Sequence, residues 1–308
     1  MRYRRLGRTE LRVSVVGVGT WQYGGEWGKQ FTQPEVDSIL RRAKELGINL
    51  IDTAECYGDH LSEALVGEAI RRERDDWVVA TKFGHRFLAP LQREDHWSAQ
   101  EVRAQLEDSL RALQVERIDL YQFHSGSDGT FDNDALWTML DKQVDAGKVA
   151  HLGISVSSGI DPAHQVSRAV EVGVGAIQVV YNRLDRGPEE TAFSSCIEQD
   201  LGVLARVPLA SGFLTGKYKP GTEFTEEGDL RSHWDRERIQ ERLRQVRQIQ
   251  QEEVPAGVPM APWALAWCLQ HPAVTCVIPG CKSVEQLESN ASAAGIDLVS
   301  DNHPQAWR

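Results

Sequence analysis

At 308 residues, with 41% of them hydrophobic, the chain is long enough to bury one large core, and α/β barrels commonly reach this size as a single domain. The formal net charge of −11 argues against general nucleic-acid binding, which needs a basic surface. No apolar run is long enough to span a bilayer, and no apolar segment follows the basic N-terminus as in a signal peptide. We therefore expect a cytoplasmic protein with no membrane or nucleic-acid partner.

Strand-like and helix-like patterns alternate along the whole chain. A hairpin is predicted first, because strand-like runs at 3–6 and 11–14 flank a turn that contains glycine. Eight apolar strand-like runs follow, at 15–19, 48–52, 77–82, 118–124, 149–155, 176–180, 203–206 and 274–278. Helical patterns accompany them at 36–46, 63–74, 98–113, 134–146, 162–172, 188–199, 263–269 and 283–293.

This alternation predicts an α/β fold, because near-continuous apolar strands are typical of a parallel sheet covered on both faces. Eight βα units favour a closed (β/α)8 TIM barrel that uses residues 1–308 as one domain. An open doubly wound sheet is disfavoured, since the sequence at 17–21 lacks the third glycine of a G-x-G-x-x-G turn. Two segments fall outside the repeat: a polar loop at 217–234, long enough to be functional, and a charged helix at 236–251.

Polar residues stand at the ends of three consecutive predicted strands. Asp52, Lys82 and His124 end the second, third and fourth strands, and Tyr57 follows in the loop after Asp52. Each has an ordinary structural explanation alone, but strand ends converge on one face of a barrel. A buried lysine beside a phenol stabilises the phenolate, so we expect Lys82 to lower the pKa of Tyr57 toward neutrality while Asp52 keeps the lysine charged. The set predicts a catalytic site with Tyr57 as the acid and a neutral His124 bonded to a substrate oxygen.

A metal-dependent hydrolase that uses His85, His124 and Asp52 is the less favoured alternative for these residues. Their spacing matches no compact metal motif, and Lys82 would place a cation where the metal should bind. We therefore predict no metal.

The motifs that carry these residues resemble those of the aldo-keto reductase superfamily, and the resemblance spans nearly the whole chain. It rests on the sequences at 6–9, 17–21, 49–58, 81–84, 121–124, 153–155, 181–182, 208–217 and 278–280. The resemblance implies a (β/α)8 barrel closed at the bottom by the N-terminal hairpin. It also implies reduction of a small-molecule carbonyl, an aldehyde or a ketone, by NADPH with Tyr57 as the proton donor.

The resemblance further implies which residues hold NADPH. Ser155 and Gln178 match residues that contact the nicotinamide carboxamide, and the segment 208–217 matches the one that passes over the pyrophosphate. Lys282 is expected to bind the 2′-phosphate, because it stands at the start of the last predicted helix. The predicted cofactor-binding residues are Gly19, Thr20, Trp21, Asp52, Ser155, Gln178, Tyr181, Arg206, Pro208, Leu209, Gly212, Leu214, Gly216, Lys217, Gly280, Lys282, Ser283, Gln286 and Asn290.

The chain departs from the superfamily pattern where the nicotinamide and the substrate would bind. Arg206 stands where many members carry an aromatic residue that stacks on the nicotinamide ring, so Trp21 is expected to cover the ring instead. The loop after His124 also differs, which leaves the substrate class open. The predicted substrate pocket contains Trp27, His85 and Ser125.

A second class of function is compatible with the resemblance. Some members of the superfamily are channel-associated subunits that hold NADPH and work mainly as interaction modules. The chain shows no attached interaction segment, so a redox-sensing binding protein with little turnover is the alternative to the reductase. The sequence carries no signal for the oligomeric state.

Overall fold

The computed structural model describes residues 1–157, 161–225 and 229–307. In this part of the chain the strands are β1 Tyr3–Arg5, β2 Arg12–Ser14, β3 Val18–Gly19, β4 Leu50–Asp52, β5 Val78–Phe83, β6 His85–Ala89, β7 Gln92–Asp95, β8 Ile118–His124, β9 Val149–Ser155, β10 Val174–Val180, β11 Gly202–Arg206 and β12 Cys276–Val277. The α-helices are α1 Gln33–Glu45, α2 Leu61–Ile70, α3 Ala99–Leu113, α4 Asp128–Phe131, α5 Asp134–Asp145, α6 Ala163–Ser167, α7 Pro188–Thr191, α8 Phe193–Glu198, α9 Arg236–Glu252, α10 Met260–Gln270 and α11 Val284–Ser292. None of the described helices combines the length and the apolar character needed to cross a membrane.

Eight parallel strands form one sheet that curls into a barrel. Their order is β3-β4-β5-β8-β9-β10-β11-β12, and parallel bridges between Val16 and Val277 and between Gly19 and Gly280 join the first strand to the last. The predicted (β/α)8 barrel is confirmed. Because all eight strands run in one direction, their C-terminal ends share one face of the barrel, where side chains from separate strands can meet.

The N-terminal hairpin closes the opposite end, as predicted. β1 and β2 pair antiparallel, and Gly7 bridges Leu201, the residue just before β11. Leu6 lies among side chains from the barrel strands, and it packs so closely on Gly202 that a Cβ there would lie 2.5 Å from Leu6 Cδ1. Arg4, buried at this end, donates hydrogen bonds to the carbonyls of Val274 at 2.6 Å and Leu269 at 3.0 Å.

The main differences between the structure and the predicted elements lie in three places. The hairpin of β6 and β7 lies where only a connection was predicted, because its short strands are polar and mostly exposed and lack an alternating apolar pattern. The predicted helices at 162–172 and 188–199 are each interrupted. The predicted first strand at 15–19 is shorter in the structure, where Val18 and Gly19 pair with β4. On its other side, the Gly17 N–H donates a hydrogen bond to the Val277 carbonyl of β12.

The second segment outside the repeat forms a small apolar unit beside the barrel mouth. The predicted charged helix is present as α9, and its buried residues pack against Phe213 and Leu214 from the segment after β11. The predicted polar loop at 217–234 includes 226–228, which lie outside the described residues.

Candidate active site

The ends of β4 and β5 bring Asp52 and Lys82 together, and the following turn adds Tyr57. Lys82 Nζ donates to Asp52 Oδ1 at 2.7 Å, to the Thr53 carbonyl at 2.6 Å and to the Tyr57 hydroxyl at 3.3 Å. Lys82 is fully buried, and Asp52 and Tyr57 are nearly so. Gly24 packs against the Tyr57 backbone, where a Cβ would lie 2.9 Å from Tyr57 Cα. Three of the four predicted catalytic residues therefore form one hydrogen-bonded unit.

Burial controls the electrostatics of this unit. Burial raises the pKa of Tyr57 to about 12, while the charge of Lys82 acts in the opposite direction. Burial alone would lower the pKa of Lys82, but attraction to Asp52 and Tyr57 outweighs it and raises the pKa. The prediction of a tyrosine pKa closer to neutrality is wrong for the free protein, because the lysine offsets only part of the desolvation of the phenolate. Tyr57 is thus a protonated phenol and Lys82 a charged amine at neutral pH.

His124 ends β8 beside this unit. Its ring centroid lies 6.3 Å from that of Tyr57, with the ring planes at 83°. Burial, and then the charge of Lys82, hold the pKa of His124 well below its ordinary value, so the imidazole is neutral. A neutral imidazole keeps one N–H donor, and His124 can therefore donate a hydrogen bond to an oxygen that also faces Tyr57.

Two glutamines hold the other oxygen of Asp52. Gln178 Nε2 donates to Asp52 Oδ2 at 2.7 Å and Gln122 Nε2 donates to it at 3.1 Å. Ser155 Oγ in turn donates to Gln178 Oε1 at 3.3 Å. Gln122 was not among the predicted site residues, although a glutamine inside the apolar strand β8 was a signal. Asp52 is thus fixed by side chains from β5, β8 and β10, and its position does not depend on the lysine alone.

A cleft of about 590 Å³ opens above the strand ends and contains most of the predicted site. Of the described residues that line it, five are basic and Asp52 is the one carboxylate. The local charge is therefore opposite to the net charge of the chain, as an anionic ligand requires. The predicted residues that line the cleft are Gly19, Thr20, Trp21, Trp27, Asp52, Tyr57, His124, Ser125, Gln178, Arg206, Pro208, Leu209, Gly212, Lys217, Gly280, Lys282, Gln286 and Asn290.

Several predicted residues lie behind the cleft wall. Lys82 and Ser155 reach the site only through their hydrogen bonds to residues that line it. Tyr181 points away from the barrel mouth, because its hydroxyl donates to Glu189 at 2.7 Å and its ring packs on Trp267. His85 packs between Trp97 and His124. The others outside the lining are Leu214, buried in the unit beside α9, Gly216, which packs on Met260, and Ser283, which caps α11.

Lys282 lies at the N-terminal end of α11, at the edge of the cleft. Its Nζ donates to the Trp27 carbonyl at 2.7 Å, and its backbone N–H donates to Gln286 Oε1 at 2.8 Å. Lys282 thus ties α11 to the loop after β3, and a phosphate bound here would compete with the Trp27 carbonyl for the amine. Trp27 is buried, and its ring meets Trp21 edge-on at 5.1 Å.

Two basic residues of the cleft were not predicted. Arg93, on β7, donates through Nη2 to Glu26 Oε2 at 2.8 Å. Arg231 pairs with Asp229 at 2.6 Å and donates to the Ser211 carbonyl at 3.1 Å. Both lie in segments without a periodic hydrophobic pattern, so the sequence does not predict that their side chains face the cleft.

The residues of the alternative metal site also take part in the contacts described above. Asp52 is bonded to Lys82, and His85 and His124 approach each other only edge-on, with centroids 5.2 Å apart. The donor atoms of Glu55, Cys56 and His124 do lie within 4.8 Å of one another. Burial holds the pKa of the Cys56 thiol well above its ordinary value, and a protonated thiol is a poor metal ligand.

Comparison with known proteins agrees with this geometry. The model of the aldo/keto reductase family matches residues 15–306. The chain is 32% identical over 310 residues to the aldo-keto reductase YhdN of Bacillus subtilis, a match that covers 98% of this chain and 91% of that protein. The holo form of the aldo-keto reductase AKR11C1 from Bacillus halodurans has a TM-score of 0.81 at 28% identity, covering 99% and 94% of the two chains. The glycerol dehydrogenase AKR11B4 from Gluconobacter oxydans has a TM-score of 0.82 at 27% identity, covering 100% and 97%. The chain therefore belongs to the aldo/keto reductase family of oxidoreductases.

Proposed function

We propose that this protein reduces the carbonyl group of a small aldehyde or ketone with NADPH. The observation that carries the proposal is the hydrogen-bonded unit of Asp52, Lys82 and Tyr57, which lies in a basic cleft beside a neutral His124. A phenol that shares its hydroxyl with a buried cation is suited to give up a proton, because the cation stabilises the phenolate. This assembled acid favours turnover over the alternative of a protein that only holds the cofactor.

The residues present fit a dinucleotide with several phosphates. Lys217, Arg231 and Lys282 line the cleft, and they would hold the phosphates. Arg206 Nε is buried with no hydrogen-bond partner among the described residues, which leaves a donor available to a ligand. Gln286 and Asn290 on α11 would reach the adenosine end, and Gln178 the carboxamide.

The chemistry divides between the cofactor and the side chains. A bound reduced nicotinamide supplies the hydride. Tyr57 donates its hydroxyl proton to the substrate oxygen as the carbonyl carbon is reduced. Lys82 stabilises the phenolate that remains, and Asp52 keeps Lys82 charged and in place. His124 orients the substrate oxygen through a hydrogen bond from its neutral ring, since a single donor fixes the angle without competing for the proton.

The test is the consumption of NADPH with a panel of aldehydes and ketones, in the wild type and in Tyr57→Phe. We expect the wild type to oxidise NADPH with at least one of them, and Tyr57→Phe to lose ~10²–10⁴-fold in kcat/KM while still binding the cofactor. Tyr121→Phe is the matched control, because that buried phenol makes no hydrogen bond among the described residues. Tight NADPH binding with no turnover would support the sensor instead, and a Tyr57→Phe variant with more than about half the activity would exclude Tyr57 as the acid.

A further inference from the structure

Arg206 is a basic residue of the cleft that differs in its ion pairing from the other arginines there. It ends β11, its Nη2 donates to the Val156 carbonyl at 2.9 Å, and its Nε is buried without a hydrogen-bond partner among the described residues. The other arginines of the cleft are neutralised: Arg93 by Glu26 at 2.8 Å and Arg231 by Asp229 at 2.6 Å. Within the described residues, Arg206 takes part in no ion pair. Burial lowers its pKa, as expected for a guanidinium that has lost part of its hydration.

Arg206 lines the same cleft as Asp52, Tyr57 and His124. Tyr57 and Asp52 both act on the pKa of Arg206, and Arg206 is among the cations that lower the pKa of His124. β11, which carries Arg206, lies beside β10, which carries Gln178. Because the reacting groups must be in contact, a nicotinamide that reduces a carbonyl held at Tyr57 would lie in the cleft that Arg206 also lines.

The ring of the cofactor changes charge in that space during the proposed reaction. A bound reduced nicotinamide would supply a hydride, one proton with two electrons, to the carbonyl carbon, and its ring would change from neutral to cationic. The Tyr57 proton moves to the carbonyl oxygen and completes the alcohol. A fixed neighbouring cation favours the neutral ring over the cationic one.

We propose that Arg206 makes the site select the redox state of its cofactor, so that the protein binds NADPH more tightly than NADP⁺. The inference rests on the proposed function, because it requires a nicotinamide in this cleft. Lys217 and Lys282, placed to meet phosphates that both forms share, would strengthen the binding of both. In a mixed pool of cofactor the protein is then loaded with the reduced form, and NADP⁺ leaves readily after turnover. The same repulsion opposes hydride transfer on the protein, so Arg206 trades some rate of the chemical step for easier release of the oxidised product.

The size of the effect follows from Coulomb's law. Two unit charges about 6 Å apart change a binding ratio by about 10²-fold at an effective dielectric constant near ~20, and by about 3-fold at the value of bulk water. Arg206 is partly buried, so we expect a contribution of roughly tenfold, between these limits.

The experiment measures Kd for NADPH and for NADP⁺ by calorimetry in the wild type, Arg206→Gln and Arg206→Lys. Glutamine removes the charge but keeps a donor for the Val156 carbonyl, and lysine keeps the charge. We expect Kd for NADP⁺ divided by Kd for NADPH to fall roughly tenfold in Arg206→Gln and to stay near the wild-type value in Arg206→Lys. Lys217→Gln is the control, because Lys217 is an exposed cation that follows Arg206 in the same segment. We expect its loss to weaken the binding of both forms alike and to leave the ratio of the two Kd values unchanged.

The possible outcomes distinguish a failure of the Arg206 proposal from a failure of the proposed function. An unchanged ratio in Arg206→Gln, or an equal fall in Arg206→Lys and Arg206→Gln, overturns the role of the Arg206 charge while the proposed function stands. A wild type that binds neither form overturns both. Denaturant midpoints of the variants, compared with the wild type, confirm that each is folded before its Kd values are compared.

Discussion

Replacing Lys82 by methionine is the sharpest perturbation of this site, because it leaves a buried carboxylate without its counter-ion. Lys82 is fully buried and Asp52 is 3% exposed, so bulk water cannot replace the lost amine. Asp52 Oδ1 loses the donor at 2.7 Å, whereas Oδ2 keeps its bonds from Gln178 and Gln122. Methionine matches the length of the lysine stem, and the packing around it changes little.

The expected loss of stability is set by the stranded charge. Removing one partner of a buried ion pair typically costs about 3–5 kcal/mol, and the two glutamine donors to Asp52 place this case near the lower end, at about 3 kcal/mol. Asp52→Asn likewise leaves the buried Lys82 charge without its counter-ion. In the double variant neither charge is left, so its loss should be smaller than the sum of the two single losses by roughly 2 kcal/mol.

Urea unfolding of the four proteins, followed by tryptophan fluorescence at neutral pH, measures these free energies. Lys44→Met is the matched control: Lys44 Nζ lies 2.7 Å from Asp76, the same distance, but Lys44 is half-exposed and Asp76 is exposed. Water solvates the charge that remains there, and we expect little change. If Lys82→Met unfolds at the wild-type urea concentration, or if the two single losses simply add, Lys82 and Asp52 do not form the coupled pair described here.

Three further predictions concern proton transfer and the cofactor. Because burial raises the pKa of Tyr57 to about 12, the phenol keeps its proton well above neutrality, and kcat/KM for carbonyl reduction should hold to about pH 10; a fall centred below about pH 9 in the pH–rate profile contradicts this. In alcohol oxidation, which needs the phenolate, Lys82→Met should shift the rise of the rate to higher pH, and Asp52→Asn should do so more weakly. An unmoved profile in both variants would disprove the coupling. Lys282→Ala should weaken the binding of NADPH and leave the binding of NADH nearly unchanged; equal losses of affinity, or a wild type that prefers NADH, would remove Lys282 from that role.

The sequence by itself determined the barrel and the place in it of the residues predicted to be catalytic. Eight apolar runs alternating with helical patterns can bury their strands on both faces only in a parallel, helix-covered sheet. Parallel strands then force Asp52 and Lys82, at the ends of neighbouring strands, onto one face. Tyr57 follows Asp52 closely enough that the turn delivers it to the same place. Each of these patterns is local, and it can be recognised within a short segment of the chain.

Tertiary structure decided everything that depends on which neighbours surround a group. Gln122 and Gln178 meet at Asp52 from strands 56 residues apart in sequence, and no local pattern records that meeting. Tyr181 turns outward to Glu189, although its motif placed it with the cofactor. The direction of the shift in the pKa of Tyr57 was predicted wrongly for the same reason. The sequence shows which charge stands next to the phenol, whereas desolvation depends on how much protein encloses it, and only the folded chain determines that.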